Sequence, residues 1–531
     1  MQRTDSQSGG APQLQALHVS TSKLWLLFGA EVVVFALIRL PLDLSFEAYA
    51  FADRGSFLTV CYLVARGGRP AIDFGYPYGL LAALLGEAWF HLFGLTPLAS
   101  EAAMIVCALA IAWAFARLAS AMRLGFVGVT FLAVTFPFTI LGCYVSLVYA
   151  FEAAVLCNGL AENAANRRSN ALALATAACL IKPSMGYLYG LILLMFMLMD
   201  ARRLGAKTER SLDVRAFVAA LVPAVLTGVI LVAMLGTAFG FRSLAATLMP
   251  ASGRAFYRFF GYGSVLYGGQ GLLYQPGKIP EYYLFTVAGF WIAGTIWLIV
   301  AGARAAWKMT GSLLAGHALG AGHEFVLTCA ILHLAFITLF FGGEGSWEYY
   351  AYVLVMGAAA TSIWSAADAR VVAWFAALAL MGQTAHVGKA AQAWRTTSPS
   401  AQTDGLWASA KERDAWQRVL AVTAGRDTAV ITFQGAVAVL FAQFVRPLGA
   451  YLVPAESLSS EISGTEQRLR EMPTIFAVTS GDYSAALAFF PQFRRMLQER
   501  SVILSEPLEG LTFTVYGGRL HGASRSATRA P

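Results

Sequence analysis

YGLLAALLGEAWFHLFG, residues 78–94, is an apolar run that a bilayer would accept, and its reading decides the fold. Counted as a membrane span, it reverses the side of every later segment; counted as a helix lying along the surface, it leaves them in place. The charges decide. With the run left out of the count and the N-terminus inside, Arg117, Arg123, Arg167, Arg168, Arg202, Arg203, Lys207, Arg210, Arg215, Arg304 and Lys308 all face one side. That asymmetry is the positive-inside bias of membrane proteins. Counting it would send Arg167, Arg168 and the whole Arg202–Arg215 group to the opposite face. Residues 78–94 are therefore expected to lie along the outer interface, with Glu87 and His91 four apart on one helical face and paired at the water boundary. A metal site there would need more ligands than the sequence supplies.

The rest of the chain fits a membrane protein. It has 531 residues, 58% of them hydrophobic and only 13% charged, with a mean hydropathy of +0.61. Such a balance excludes a soluble globule and a disordered chain. The formal net charge of +8 could point to nucleic acid. The basic residues instead fall in short patches beside apolar runs, as cytoplasmic anchors do, so no nucleic acid is expected. Cys107, Cys157, Cys179 and Cys329 lie in apolar runs, Cys143 at a junction of two, and Cys61 alone in a loop. Without a CxxC or a framework of spacings they read as small packing residues.

Residues 24–42 form the first span, preceded by Lys23 and not followed by a small-residue cleavage site, so they read as an uncleaved anchor. Further spans are expected at 98–118, 124–141, 143–162, 169–185, 186–200, 214–238, 283–303, 324–342, 350–367 and 370–388, for about eleven in all. The expected fold is a polytopic α-helical membrane protein. A cytoplasmic tail (1–23) precedes a transmembrane domain (24–388) with large outer loops at 43–97 and 239–282. A small outer α/β domain (389–519) and a short tail (520–531) follow. In that last domain DTAVITFQG and PTIFAVTSGD read as strands, followed by helical segments at 435–446 and 483–500. SVILSEPLEGLTFTVYGGR reads as a hairpin turning near Glu509-Gly510.

Candidate chemistry concentrates in the first outer loop, DRGSFLTVCYLVARGGRPAIDFGYPYG, residues 53–79. Asp53 opens a helical stretch that closes on Gly67-Gly68. Asp73 precedes the turn Tyr76-Pro77-Tyr78-Gly79. An N-cap or a partner for Arg54 is the plain role of Asp53, and local turn bonding that of Asp73. Lys182, followed by Pro183 at a span end, either snorkels to the interface or offers a cation to a phosphate. Arg254 and Arg258, four apart in the second outer loop, are further phosphate candidates or solvated loop charges. Glu31 and Glu152 sit mid-span, where an acid is costly and faces the bundle interior; a hydrogen bond between helices is their expected role. The tyrosines beside Glu348 fit an interfacial belt, though Glu348 could also line a sugar site.

The order of these features carries a resemblance. A basic residue, an apolar anchor, Asp53, a helix closing on Gly67, the turn at Pro77 and a surface helix ending His91-Leu92-Phe93-Gly94-Leu95-Thr96-Pro97 together resemble the GT-C glycosyltransferases. These integral-membrane enzymes include protein O-mannosyltransferases and the aminoarabinose transferases of lipid A. Lys182-Pro183 is similar to a lysine-containing motif of the same superfamily. The likeness covers the first 200 residues, and later spans only by topology. One departure is Asp53-Arg54, where many relatives have Asp-Glu.

The resemblance implies a sugar transferase of a bacterial inner membrane, taking its donor from a polyprenyl phosphate and serving a lipid, glycan or protein acceptor on the outer side. In that reading Asp53 is the catalytic base with Asp73 assisting. Lys182, Arg254 and Arg258 surround the phosphate, and Tyr76, Tyr78 and Glu348 meet substrate. No metal ligand set is indicated, and a divalent cofactor stays open. A secondary transporter or lipid flippase, and a non-catalytic polysaccharide-assembly protein, are the alternatives. The first predicts inverted repeats, which the sequence does not show; the second leaves Asp53 and Asp73 replaceable.

Overall fold

The computed structural model describes residues 20–51, 53–143, 146–207, 213–248, 287–314, 321–340, 350–401, 405–431, 459–480, 491–508 and 511–518. Helix α1 (Thr21–Asp43) is followed by the short α2 (Phe46–Phe51), α3 (Asp53–Ala65) and α4 (Leu80–Phe93). Then come α5 (Pro97–Ala121), α6 (Phe126–Cys143), α7 (Leu147–Ala164), α8 (Arg168–Ile181), α9 (Pro183–Lys207), α10 (Val214–Phe239) and α11 (Phe241–Leu248). The bundle is completed by α12 (Val287–Leu314), α13 (Ala321–Ala335, continued by a π turn), α14 (Ala351–Thr361) and α15 (Ala366–Thr396).

Cross-contacts fix the direction of each helix. Thr21 bonds Ser120, and Arg54 near the end of α1 bonds Glu101, so α1 and α5 run antiparallel. Asn158 donates to the Ala110 carbonyl and Arg117 pairs with Glu162, so α5 and α7 run parallel. Helices α8 and α9 form a hairpin, with Arg168 paired to Asp200 at its open end and Lys182 at its tip. Continuing in this way, α1, α5–α10 and α12–α15 traverse the bundle in alternation. The eleven spans read from the sequence match these helices. Six of them (α1, α5, α9, α10, α12 and α15) are each long and apolar enough to cross a bilayer. Helix α10 shows why: Val218, Val222, Val225, Leu226, Val229 and Ile230 are exposed along it, a face that only lipid would cover favourably.

Helix α4 does not traverse. Its length does not decide this, since α8 also has 14 residues and α14 only 11; the position of its ends does. It starts at Gly79, bonded to the tip of the α8–α9 hairpin, and it leads through the Thr96 cap into the same end of α5. Both of its ends thus lie at one end of the bundle. Glu87 and His91 form no ion pair, so that expected pairing is not made.

At the end of the bundle reached by α15, a small α/β unit follows. Strands β1 (Ser398–Pro399) and β2 (Trp407–Ala408) pair, and α16 (Ala410–Thr423) leads to β3 (Thr428–Ile431). After α17 (Ser459–Glu471) come β4 (Thr474–Ser480), α18 (Pro491–Gln498), β5 (Ser501–Leu508) and β6 (Leu511–Gly517), in the sheet order β3-β4-β6-β5. Only β3 and β4 are parallel; β5 and β6 form the expected hairpin. The helix expected at 435–446 lies outside the described residues. Trp416 from α16 packs on Phe476 and Phe513 of the sheet, and Phe46 of α2 joins them at 5.4 Å from Trp416. Trp407 N–H donates to the Leu44 carbonyl at 2.8 Å, tying this unit to the loop that leads to Asp53.

Candidate active site at one end of the bundle

Lys182 is the residue around which the other candidates gather. Pro183 cannot donate a backbone hydrogen bond and suits the first turn of a helix, so the chain ends α8 at Ile181 and starts α9 at once. Gly186 on α9 approaches the Ala178 and Cys179 backbone so closely that a Cβ would collide with it. The hairpin is therefore tight. Its tip lysine does not snorkel outward, as one sequence reading had it: Lys182 is only 7% exposed. Its Nζ stands 3.7 Å from the centroid of the Tyr149 ring, 5.2 Å from that of Tyr350 and 4.0 Å from Glu152 Oε2. Two aromatic faces and a carboxylate replace the water that an ammonium would lose on burial.

The turn Tyr76–Gly79 closes on this group. Gly79 N–H donates to the Ile181 carbonyl at 2.8 Å. A Cβ on Gly79 would strike the Leu180 carbonyl, so glycine alone allows the approach. The Tyr76 hydroxyl donates to the Gly79 carbonyl at 3.2 Å and holds the turn. Tyr78 stacks edge-on against Tyr149 at 6.2 Å and against Tyr76 at 5.8 Å. Lys182, Tyr76 and Tyr78, separate in the sequence, are thus one aromatic-lined group.

Glu152 and Tyr350 belong to the same group. The Tyr350 hydroxyl donates to Glu152 Oε2 at 2.7 Å, the interhelical hydrogen bond expected of that acid. Tyr149 was not singled out in the sequence. Its signal was the spacing, since positions 149 and 152 share a helical face.

Asp53 begins α3, and the described part of its surroundings is backbone. The first turn of α3 is fastened from the next residue. Arg54, 7% exposed, donates to the Asp43 carbonyl at 2.5 Å, to Asp43 Oδ1 at 3.1 Å and to Glu101 Oε1 at 2.8 Å. Tyr49 also donates to Glu101, and Arg39 to Asp43. The basic residue that departs from the superfamily pattern is therefore a buried tie between α1, α3 and α5. Breaking one partner of such a pair costs about 3–5 kcal/mol.

Asp73 is held differently. Arg69 takes both of its oxygens, through Nε at 2.9 Å and Nη2 at 3.0 Å, and the Arg69 backbone N–H adds a third bond. These hydrogen bonds hold the Asp73 carboxyl below the usual carboxylate range. The arrangement is the local turn bonding named as its plain role. Arg254, Arg258 and Glu348 lie outside the described residues. No group of three metal-ligating side chains occurs among the described residues.

No protein-family model matches the chain, and no curated protein matches it. Two solved structures are similar in overall path. One is the crystal structure of ArnT from Cupriavidus metallidurans bound to undecaprenyl phosphate, at 14% identity and a TM-score of 0.46. The other is ArnT from the same organism in the apo state, at 16% identity and a TM-score of 0.44. Each similarity covers 94% of this chain and 98% of that chain. A likeness at these scores assigns no function, and the reading that follows rests on the residues of this chain.

Proposed function

We propose that this protein is a membrane glycosyltransferase that moves a sugar from a polyprenyl-phosphate donor to an acceptor hydroxyl at the end of the bundle holding Lys182. The observation that carries it is the buried Lys182, framed by Tyr149 and Tyr350 and closed by the turn at Tyr78-Gly79. A buried ammonium is costly in a membrane protein and marks a working site. At this depth, close to a bundle end, it suits the phosphate of a lipid whose tail stays in the bilayer.

Asp53 takes the acceptor proton as the acceptor oxygen attacks the anomeric carbon. The bond from that carbon to the phosphate oxygen breaks, and its electron pair leaves on the lipid phosphate. Lys182, with Arg254 and Arg258 from the second loop, stabilises the charge that gathers there. Tyr76, Tyr78 and Glu348 face the sugar. Arg54 sets the position of Asp53 through the backbone of α3. Asp73 is the lesser acid, because Arg69 already occupies its carboxylate. The active end and the α/β unit face the outer side of a bacterial inner membrane. The acceptor is a lipid, glycan or protein of the envelope.

The test pairs envelope glycan mass spectrometry, in cells with and without the chain, with complementation by variants. Asp53→Asn keeps the size of the side chain and removes the base, so transfer should slow about 10²–10⁴-fold while the protein still inserts. Lys182→Ala should weaken binding of a polyprenyl phosphate probe by about 10–150-fold, the equivalent of the roughly 1.5–3 kcal/mol of a charged hydrogen bond. Unchanged glycans on deletion, or full activity of both variants, would reject the enzyme reading and favour the transporter or assembly-partner alternative.

A further inference from the structure

Glu152 is the acid that this mechanism leaves without a task. It lies on α7, 1% exposed, and its Oε2 accepts from Tyr350 while its Oε1 has no hydrogen-bond partner among the described residues. Lys182 Nζ stands 4.0 Å from Oε2. Burial works against the ionised carboxylate, and an O–H donor and an ammonium at these distances work for it. Lys182 is therefore counterbalanced before any phosphate arrives.

A phosphate drawn to the same ammonium would place two anions beside one cation. In a low-dielectric setting such repulsion is strong, and a carboxylate escapes it by taking a proton. The unpartnered Oε1 is where that proton fits. A protonated carboxyl is also an O–H donor, the complement of a phosphate oxygen. The charge count agrees. Lys182 and Glu152 sum to zero in the empty site. Lys182, a protonated Glu152 and a singly charged sugar-lipid phosphodiester also sum to zero.

We infer that Glu152 is the proton-accepting counter-ion of the lipid-phosphate site, paired with Lys182 when the site is empty and taking one proton from solvent when a lipid phosphodiester binds. No covalent bond to carbon or phosphorus changes in this step; one proton leaves solution for Oε1. The inference rests on the reading of Lys182 as the phosphate cation. The other titratable groups around Glu152 are Cys179 on α8, Tyr149 on its own helix, and Tyr350 backed by Tyr352 on α14. Tyr78 reaches the group through the Tyr149 ring. Among the described residues Glu152 is the carboxylic acid beside Lys182, so it is the group whose proton count a phosphate on that ammonium would change.

The test is equilibrium binding of a polyprenyl methyl phosphodiester to the full chain in lipid nanodiscs between about pH 5.5 and 9; the probe's own phosphate does not titrate there. Uptake of one proton makes wild-type affinity fall about tenfold per pH unit over the linked range. Glu152→Gln should bind with no such slope. A slope retained in Glu152→Gln, or a flat wild-type curve, overturns the inference. If Lys182→Ala binds the probe as tightly as wild type, the phosphate reading itself fails. If that variant binds weakly while wild type and Glu152→Gln show equal slopes, only the counter-ion role fails. Should Glu152→Gln not insert, Tyr350→Phe decides. Loss of its hydroxyl removes a donor that keeps Glu152 ionised, so the flat acid limb should extend to higher pH, and an unmoved curve overturns the inference.

Discussion

Gly79 and Gly94 bound the same helix and make opposite demands. At Gly79 the chain bonds the Ile181 carbonyl and leaves no room for a Cβ against Leu180, whereas Gly94 has a left-handed φ of +82° and open space around it. Gly79→Ala should push the tyrosine turn off the hairpin tip. The forced shift and lost hydrogen bond cost about 1–3 kcal/mol, so affinity for a polyprenyl phosphate probe should fall about tenfold or more. Gly94→Ala carries only the local cost of its φ, about 1 kcal/mol, and should lower stability with binding intact. Equal binding by the two variants would show that the turn does not shape the site. The sequence exposed both the turn and Lys182, because Pro, Gly and a lone intramembrane-end cation are local signals. That the two touch was not legible, since their contact joins positions about a hundred residues apart. Arg54 taught the reverse lesson: it read as a departure beside Asp53, and its partners Asp43 and Glu101 could be found only in three dimensions.

Among the elements, α2 has the largest reach for its length. It is six residues long, yet Phe46 is fully buried between Trp416 and Phe513 of the α/β unit. The ring adds to the aromatic core that Trp416, Phe476 and Phe513 form. Phe46→Ala should cost about 3–5 kcal/mol of local stability. Hydrogen exchange of the β4 and β6 amides in the full chain should speed up by about 10² or more, wherever exchange follows opening of this unit. No change in those amides would mean that the unit holds its fold without the first loop. The strands were legible from their alternation of apolar and polar residues, and the β5–β6 hairpin from the Glu-Gly pair in the sequence between them. Their docking on α2 was not, because FEAYAF resembles any short apolar turn of helix. The same docking links the unit to the chain seven residues before Asp53 begins α3.

Across the whole molecule, ion pairs gather at the two ends of the bundle, Arg39, Asp43, Arg54 and Glu101 at the Lys182 end and a second group at the other. Arg117 and Arg167 share Glu162, Arg168 joins Asp200 to Glu324, and Arg304 pairs with Asp368, all at the end opposite Lys182 and the α/β unit. The number and alternation of helices were legible because a hydrocarbon core imposes a length on every apolar run. The one ambiguous run, residues 78–94, was settled by counting arginines, and the structure begins and ends its helix at the same end of the bundle. Which end faces which compartment is a prediction of the positive-inside bias, by which the end carrying the basic cluster would be cytoplasmic. Cysteine labelling in intact cells tests this with two exposed positions. Lys411→Cys on α16 should react with a membrane-impermeant maleimide added outside, and Ala121→Cys at the end of α5 only after permeabilisation. The described native cysteines are buried or nearly so, which keeps the background low. The reverse pattern would put Lys182 and Asp53 on the cytoplasmic side and remove the outer-leaflet donor from the proposed reaction. Labelling of both positions without permeabilisation would mean that the α8–α9 hairpin and its neighbours do not cross, and the eleven-span topology would fall with them.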